Sequence, residues 1–232
     1  TGSANLLLLP KVQESLAGRV EVLNLFPLTE QEKHRNENSL LSALISGKIA
    51  PQIIGEQSVI EGVAEAVCQG GYPEPNTRSA ARARQWHRQY LNAIIQRDVK
   101  DIAAIRDEDE MLALMEMLAY RTGTLLNVSS MANELKMTRE TTEKYLSILE
   151  RLFLVRRLSA WHRNQSKRLV KTPKVHVIDS GLATTLSGLK ADDWNNHKSN
   201  FGPVLESFVV QQLICQASWI GSDFKFSHYR DK

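Results

Sequence analysis

The apolar residues of this chain recur mostly at helical spacing. Between Trp86 and Ile95 they follow the 3.6-residue repeat in a segment rich in arginine, which predicts a long helix with one apolar and one basic face. A second helical pattern starts at Met111, and Gly123 is its expected C-cap. Strand-like runs are few and short. The pattern therefore predicts a mainly α chain with minor β structure.

Local signals place some element boundaries. Residues 20–28 alternate between apolar and polar side chains, which predicts a strand that ends at Pro27. Thr29 followed by Glu32 has the spacing of a capping box and predicts a helix start. The glycine- and proline-rich stretch 70–76 predicts a structured turn.

Residues 111–172 have the pattern of a winged helix. Ser129 or Ser130 is the expected cap of one short helix, and Thr138 is the expected cap of the amphipathic helix that follows. Two strand-like runs around a polar, basic tip come next and predict the wing. This order of elements is typical of a winged helix-turn-helix.

Such a module has two candidate roles. As a DNA-binding module it would use threonines and cations of the second helix together with cations of the wing. As a spacer or protein-contact module its charges would simply be solvated, and Glu140, Glu143 and Glu150 weaken the case for a phosphate-facing surface. The candidate DNA-binding residues are Thr138, Arg139, Thr141, Thr142, Lys144, Arg163, Lys167 and Arg168.

Composition narrows the class of protein. The chain is 42% hydrophobic and 24% charged with a formal net charge of +3, so it can bury a core and does not demand an acidic partner. Cys68 and Cys215 are far apart and fit no metal or redox spacing, so we expect reduced thiols and a cytoplasmic location. With no signal peptide and no long apolar run, we expect no membrane association.

Common catalytic motifs are missing from the sequence. There is no Gly-x4-Gly-Lys-Ser/Thr phosphate loop, Gly-x-Ser-x-Gly elbow, His-Glu-x-x-His or Cys-x-x-Cys pair. Three isolated residues remain as candidates. Asp179 follows a strand-like run and is either a catalytic acid or a cap, and Glu206 is either a metal-binding acid or a surface glutamate. Arg19 is either an arginine finger or part of a surface ion pair.

An ordered set of motifs over nearly the whole chain resembles a large prokaryotic group of predicted AAA+ ATPases that carry a C-terminal domain of unknown function. The set is specific as a series and less so in any single motif. It consists of Thr1-Gly2-Ser3, Ser15-Leu16-Ala17-Gly18-Arg19, Pro27-Leu28, Gly70-Gly71-Tyr72-Pro73-Glu74-Pro75, Trp86 with Tyr90, Arg97-Asp98, Leu118-Ala119, Gly123 with Asn127, Thr141, Tyr145-Leu146, Leu149-Glu150, Pro173-Lys174, Asp179-x-Gly181-Leu182, and Glu206 with Val209.

The resemblance implies a domain organisation. Residues 1–28 would be the C-terminal remnant of an AAA+ core, 29–110 a helical lid or linker, 111–172 the winged helix-turn-helix, and 173–232 a partial α/β domain similar to restriction-endonuclease folds. The chain would be truncated at both ends. The phosphate loop would lie before Thr1, and the acidic nuclease-like segment would lie beyond Lys232.

The resemblance also implies roles for single residues. Thr1 or Ser3 would match the sensor of the nucleotide's terminal phosphate, Arg19 the arginine finger, and Glu206 the first helical glutamate of the nuclease-like fold. Asp179 would cap and orient a turn, with no catalytic role. No metal site is expected in the chain.

The resemblance leads to an expected function. The complete protein would be an ATPase of AAA+ or STAND type that uses ATP and Mg²⁺, while this chain alone would bind neither and would not hydrolyse ATP. The alternative is a winged-helix DNA-binding regulatory module. DNA and a second copy of the chain are the candidate partners, and the sequence points to no particular protein partner.

Overall fold

A computed structural model describes residues 23–37, 39–49, 57–99, 107–163, 171–196, 198–220 and 223–229. Of the predicted strand 20–28, residues 20–22 lie outside these ranges, and residues 23–28 have no regular secondary structure. The backbone N–H of Leu28 instead donates to the carbonyl of Gly71 at 2.7 Å, so this segment is held by a turn rather than by a sheet.

The first half of the described chain is helical. Helices α1 (Glu30–Lys33), α2 (Leu40–Ile45), α3 (Gln57–Gln69) and α4 (Ala80–Ile94) follow one another, and α4 continues as a π-helical turn over Ile95–Val99. A short 3₁₀ helix, Pro75–Thr77, lies in the predicted turn between α3 and α4. The capping box of α1 is confirmed, with Thr29 accepting from the amide of Glu32 and Glu32 accepting from the amide of Thr29.

Two glutamines of the last helix hold this N-terminal stretch. Helix α9 spans Lys198–Ile220. The side-chain oxygen of Gln212 accepts from the amide of Glu30 at 2.8 Å, and that of Gln216 accepts from the amide of Leu41 at 2.8 Å. Helix α1 buries no side chain and α2 buries only Leu41, so hydrogen bonds contribute much of this attachment.

The middle of the chain alternates helices and short strands. Its elements in order are α5 (Glu108–Tyr120), β1 (Thr124–Leu125), α6 (Val128–Glu134), α7 (Arg139–Arg151), β2 (Val155–Leu158) and β3 (Lys174–Val177). Thr138 caps α7 as predicted. The predicted cap of α6 is wrong, because the side chain of Asn127, not Ser129 or Ser130, accepts from the amide of Ser130.

Gly123 does not end α5 as a C-cap would. It lies three residues after Tyr120 with φ +74°, and its N–H donates to Val175 of β3 at 2.7 Å. A left-handed residue without a side chain is needed there, since a Cβ would lie 2.5 Å from the carbonyl oxygen of Pro203. The glycine thus joins the end of α5 to both β3 and α9.

The strands form a three-stranded antiparallel sheet in the order β1-β3-β2. In β3, Val177 pairs with Val155 of β2, and Val175 pairs with Thr124 of β1. The predicted boundary between residues 172 and 173 divides this sheet, because it separates β3 from the two strands that flank it. Helix α8 (Ser180–Ser187) and a 3₁₀ turn, Ala191–Trp194, lie between β3 and α9.

One apolar cluster extends across three of the predicted domains: the lid, the helix-turn-helix and the segment after residue 172. It includes Val67 of α3, Leu91 of α4, Leu149 of α7 and Phe201 of α9, all buried. The described residues are mainly α with minor β, which confirms the predicted fold class at that level. Among the described helices, none combines the length and apolar character that a membrane span requires.

Candidate functional site

The predicted ATP-binding residues lie outside the described part of the chain. Thr1, Ser3 and Arg19 belong to residues 1–22, so their placement is not described. Within the described ranges, no group of three or more His, Cys, Asp or Glu side chains is placed to hold a metal ion.

The N-terminal half of α7 carries most of the predicted DNA contacts. Arg139 and Lys144 are exposed, and no ion pair of either side chain occurs within the described residues. The hydroxyls of Thr138 and Thr141 lie 2.8 Å apart and share a hydrogen bond beside the cap. Thr142 is a correction to the prediction: it is buried, and its hydroxyl donates to the carbonyl of Thr138, so it cannot contact DNA.

The acidic residues of α7 are partly neutralised by the sheet. Arg157 of β2 places Nη1 2.5 Å from Glu143 Oε1 and Nε 3.1 Å from Glu150 Oε2. Burial raises the pKa of Glu150, and Arg157 opposes that rise. Arg157 thus ties β2 to α7 and offsets one of the two negative charges that would repel phosphate.

The predicted wing is described only at its base. Arg163 is exposed, whereas Lys167 and Arg168 lie outside the described residues. Arg156, at the base of the predicted wing, is engaged elsewhere: its Nη1 donates to Gln211 at 2.9 Å, and its guanidinium lies 5.9 Å from the ring centre of Phe26. Of the cations predicted for the wing, Arg163 is therefore the one that the described residues show as exposed.

Glu206 is engaged in an ion pair. Its oxygens lie 2.6 and 2.7 Å from Nζ of Lys174, and the two side chains are 40% and 23% exposed. The ion pair agrees with the surface role of Glu206, which the sequence offered as the alternative to metal binding. A bound cation would have to replace Lys174.

Asp179 is a buried carboxylate that accepts two backbone amides. It is 2% exposed, Oδ1 accepts from the amide of Leu182 at 2.8 Å, and Oδ2 accepts from the amide of Gly71 at 2.6 Å. The first bond caps α8, which confirms the predicted cap, and the second reaches a turn 108 residues away. Because both oxygens accept backbone amides, the carboxylate fixes structure and is poorly placed to move a proton.

Glycines allow the turn to approach Asp179. Gly70 has φ +70°, and a Cβ there would overlap the Asp179 carboxylate. A Cβ on Gly181 would lie 2.5 Å from the carbonyl oxygen of Gln69. Gly70 and Gly181 thus let two backbones meet at the start of α8, a contact that we call the Gly70–Asp179 junction.

His87 of α4 lies next to Asp179 at this junction. Its ring is fully buried, with Nδ1 3.0 Å from the hydroxyl of Thr185 and Nε2 3.7 Å from Asp179 Oδ1. Burial lowers the pKa of His87, while the Asp179 carboxylate opposes that shift. If the Thr185 hydroxyl donates to Nδ1, the proton on Nε2 points towards the carboxylate and helps to compensate its burial.

Sequence reasoning missed the long-range partners of these residues. The doublet Gly70-Gly71 and the run Asp179-Ser180-Gly181 are separately visible in the sequence, but nothing in either one indicates the other. Adjacent glycines in a turn and a glycine in the first turn of a helix are the signal that could have suggested close backbone approach.

The chain belongs to a family described as a domain of unknown function, DUF8612, whose model matches residues 60–193. These residues include α4, the Gly70–Asp179 junction and the whole three-stranded sheet.

Curated relatives extend the similarity along the chain. It is 27% identical over 213 residues to uncharacterised proteins of Mycobacterium bovis and Mycobacterium tuberculosis, covering 91% of this chain and 43% of each relative. It is 23% identical over 205 residues to an uncharacterised protein of Haemophilus influenzae, covering 86% of this chain and 48% of that protein. The chain thus spans less than half the length of these relatives, and no solved structure matches it.

Proposed function

We propose that this chain is the carboxyl-terminal part of a larger ATPase of AAA+ or STAND type, in which a winged helix is built into a helical body. The observation that supports it best is the order helix, strand, helix, turn, helix, strand, strand from α5 to β3, in a sheet ordered β1-β3-β2. That order is typical of a winged helix, which the resemblance to predicted AAA+ ATPases implies at this place in the chain.

Nucleotide hydrolysis is proposed only for the complete protein. The sequence lacks a phosphate loop, and relatives more than twice as long have room for such a core. Arg19 is the proposed arginine finger, with Thr1 or Ser3 as the sensor of the terminal phosphate. An arginine of this kind stabilises the charge that develops on a transferred phosphoryl group.

Calorimetry and turnover measurements test this proposal. The chain alone should give no binding heat with ATP and Mg²⁺, and micromolar affinity would contradict the proposal. In the complete protein, Arg19→Ala should lower ATP turnover by about 10³-fold or more while sparing ATP binding. Arg35→Ala, which removes an exposed arginine beyond α1, is the matched control and should leave turnover unchanged.

A second candidate function is DNA binding by α7. It is favoured by the exposed Arg139 and Lys144 and by the Arg157 contacts that offset Glu143 and Glu150. If these cations contact phosphates, the affinity of the chain for a DNA duplex should fall steeply with salt, and Arg139→Ala with Lys144→Ala should make that dependence shallower. An affinity that is insensitive to salt would contradict this function.

A further inference from the structure

Helix α4 lies in a long stretch of the chain that is basic and contains no acidic residue. From Arg78 to Arg97 the sequence contains five arginines and no aspartate, glutamate or lysine, although Asp and Glu make up 26 of the 232 residues. The helix itself runs from Ala80 to Ile94. Its charge is therefore of one sign over its whole length.

The exposed face of α4 has a defined chemical pattern. Ala83, His87, Leu91 and Ile94 are buried against the protein. Because successive residues are rotated by about 100°, the opposite side carries a row of exposed amide side chains, and the exposed arginines flank this row on either side. We call this the α4 amide–arginine face, and it consists of Gln85, Gln89, Asn92, Arg82 and Arg88.

The flanking arginines are available to a ligand. Arg78, at the start of the stretch, pairs with Glu74, but no ion pair of Arg82 or Arg88 occurs within the described residues. The start of α7 is different, since Glu140 lies directly beside Arg139, although Arg157 partly offsets Glu143 and Glu150. Local charge therefore favours α4 over α7 as the surface that meets a polyanion.

We propose that the α4 amide–arginine face binds duplex DNA. Guanidinium groups recognise phosphate oxygens bidentately, and glutamine and asparagine pair with adenine edges in the major groove. A helix with amides along its centre and arginines on both flanks matches a groove bordered by two phosphate backbones. The B-DNA major groove admits an α-helix, whereas the A-form RNA major groove is too narrow. This surface does not depend on the proposed ATPase, and it is separate from α7.

Fluorescence anisotropy with a short labelled DNA duplex tests the proposal on the whole chain. The double variant Arg82→Ala/Arg88→Ala should weaken binding and reduce the slope of log affinity against log salt by about 2, since each lost phosphate contact removes about one. The matched control Arg35→Ala/Lys48→Ala removes two exposed cations outside α4 and α7 and should leave the slope unchanged. Thermal melting should show both variants folded, since all four replaced side chains are exposed.

A third variant separates charge from geometry. Arg82→Lys/Arg88→Lys keeps both charges but loses the bidentate fork, so it should retain the salt slope of the parent chain and bind more weakly. Replacing Gln85 and Gln89 by alanine should leave the slope unchanged and reduce the preference for adenine-containing duplexes over G·C-only duplexes.

Three results would overturn the proposal. The first is a parent chain that does not bind duplex at about 50 mM salt. The second is an Arg82→Ala/Arg88→Ala variant with unchanged affinity and slope; loss of binding in an Arg139→Ala/Lys144→Ala variant would then assign DNA binding to α7 alone. The third is competition by polyglutamate as effective as by unlabelled duplex, which would identify an acidic polypeptide as the partner.

Discussion

Replacing Gly181 by alanine should destabilise the protein even though alanine is the better helix former. Gly181 lies in the first turn of α8, where its missing Cβ leaves room for the turn that precedes Tyr72. A Cβ there would lie 2.5 Å from the carbonyl oxygen of Gln69 and 2.9 Å from the amide nitrogen of Gly70. Both are backbone atoms, so the contact cannot be relieved by turning a side chain.

The cost follows from the geometry of the junction. Ordinary Cβ contacts begin at 3.4 Å, so the two backbones must separate by about 1 Å. That movement breaks the 2.6 Å bond from the Gly71 amide to Asp179, a hydrogen bond to a charged group that contributes about 1.5–3 kcal/mol. The higher helix propensity of alanine offsets at most about 1 kcal/mol of this loss. With lost packing around Leu182 included, we expect a net loss of about 2 kcal/mol.

Thermal and urea unfolding followed by circular dichroism measure this effect. Gly181→Ala should lower Tm by about 4–8 °C for a chain of this size. The matched control is Gly62→Ala in α3, where an added Cβ meets no atom within 4 Å. It should raise the free energy of unfolding by up to about 1 kcal/mol. If both variants are equally stabilised, the backbones at the Gly70–Asp179 junction do not meet as described.

Three further predictions concern single side chains. Burial lowers the pKa of His176 to about 4, so the unfolded state binds more protons than the folded state below about pH 6.5. The free energy of unfolding should therefore fall by about 3 kcal/mol as the pH drops to 4. In urea unfolding, His176→Gln should make this dependence on pH shallower, whereas replacement of the exposed His34 by glutamine should not. A double-mutant cycle on Arg157 and Glu143 should give a coupling of about 0.5–1 kcal/mol that shrinks with added salt, and a salt-independent value would refute a surface ion pair. Mg²⁺ should not raise the Tm of the chain, and a rise that Glu206→Gln abolishes would restore the metal-binding role.

Local signals in the sequence predicted local structure well. The capping box at Thr29 and Glu32 and the cap at Thr138 both depend on contacts three residues apart, and both are confirmed. The predicted cap of α6 is wrong although it also depends on local contacts, because asparagine and serine both cap well and Asn127 competes with the two serines that follow. Propensity alone does not choose between them.

Features that depend on distant partners could not be read from the sequence. Thr142 looked like a DNA contact because it lies near the start of α7, but packing of that helix on the core buries it. The boundary after residue 172 was placed within a sheet because β3 pairs with β2 across an intervening stretch of the chain. Asp179 was recognised as a cap, yet its second partner, Gly71, is 108 residues away.

The glutamine bonds from α9 have a mechanical consequence. Gln212 and Gln216 lie one turn apart on α9, and their side-chain oxygens accept hydrogen bonds from the amides of Glu30 and Leu41. A force applied to the polypeptide before α1 would therefore act first on these two hydrogen bonds to α9, and only later on the apolar core. In hydrogen–deuterium exchange, these two amides should exchange together and faster than the amides of α5. The segment around α1 and α2 can then detach locally while the rest of the fold remains intact.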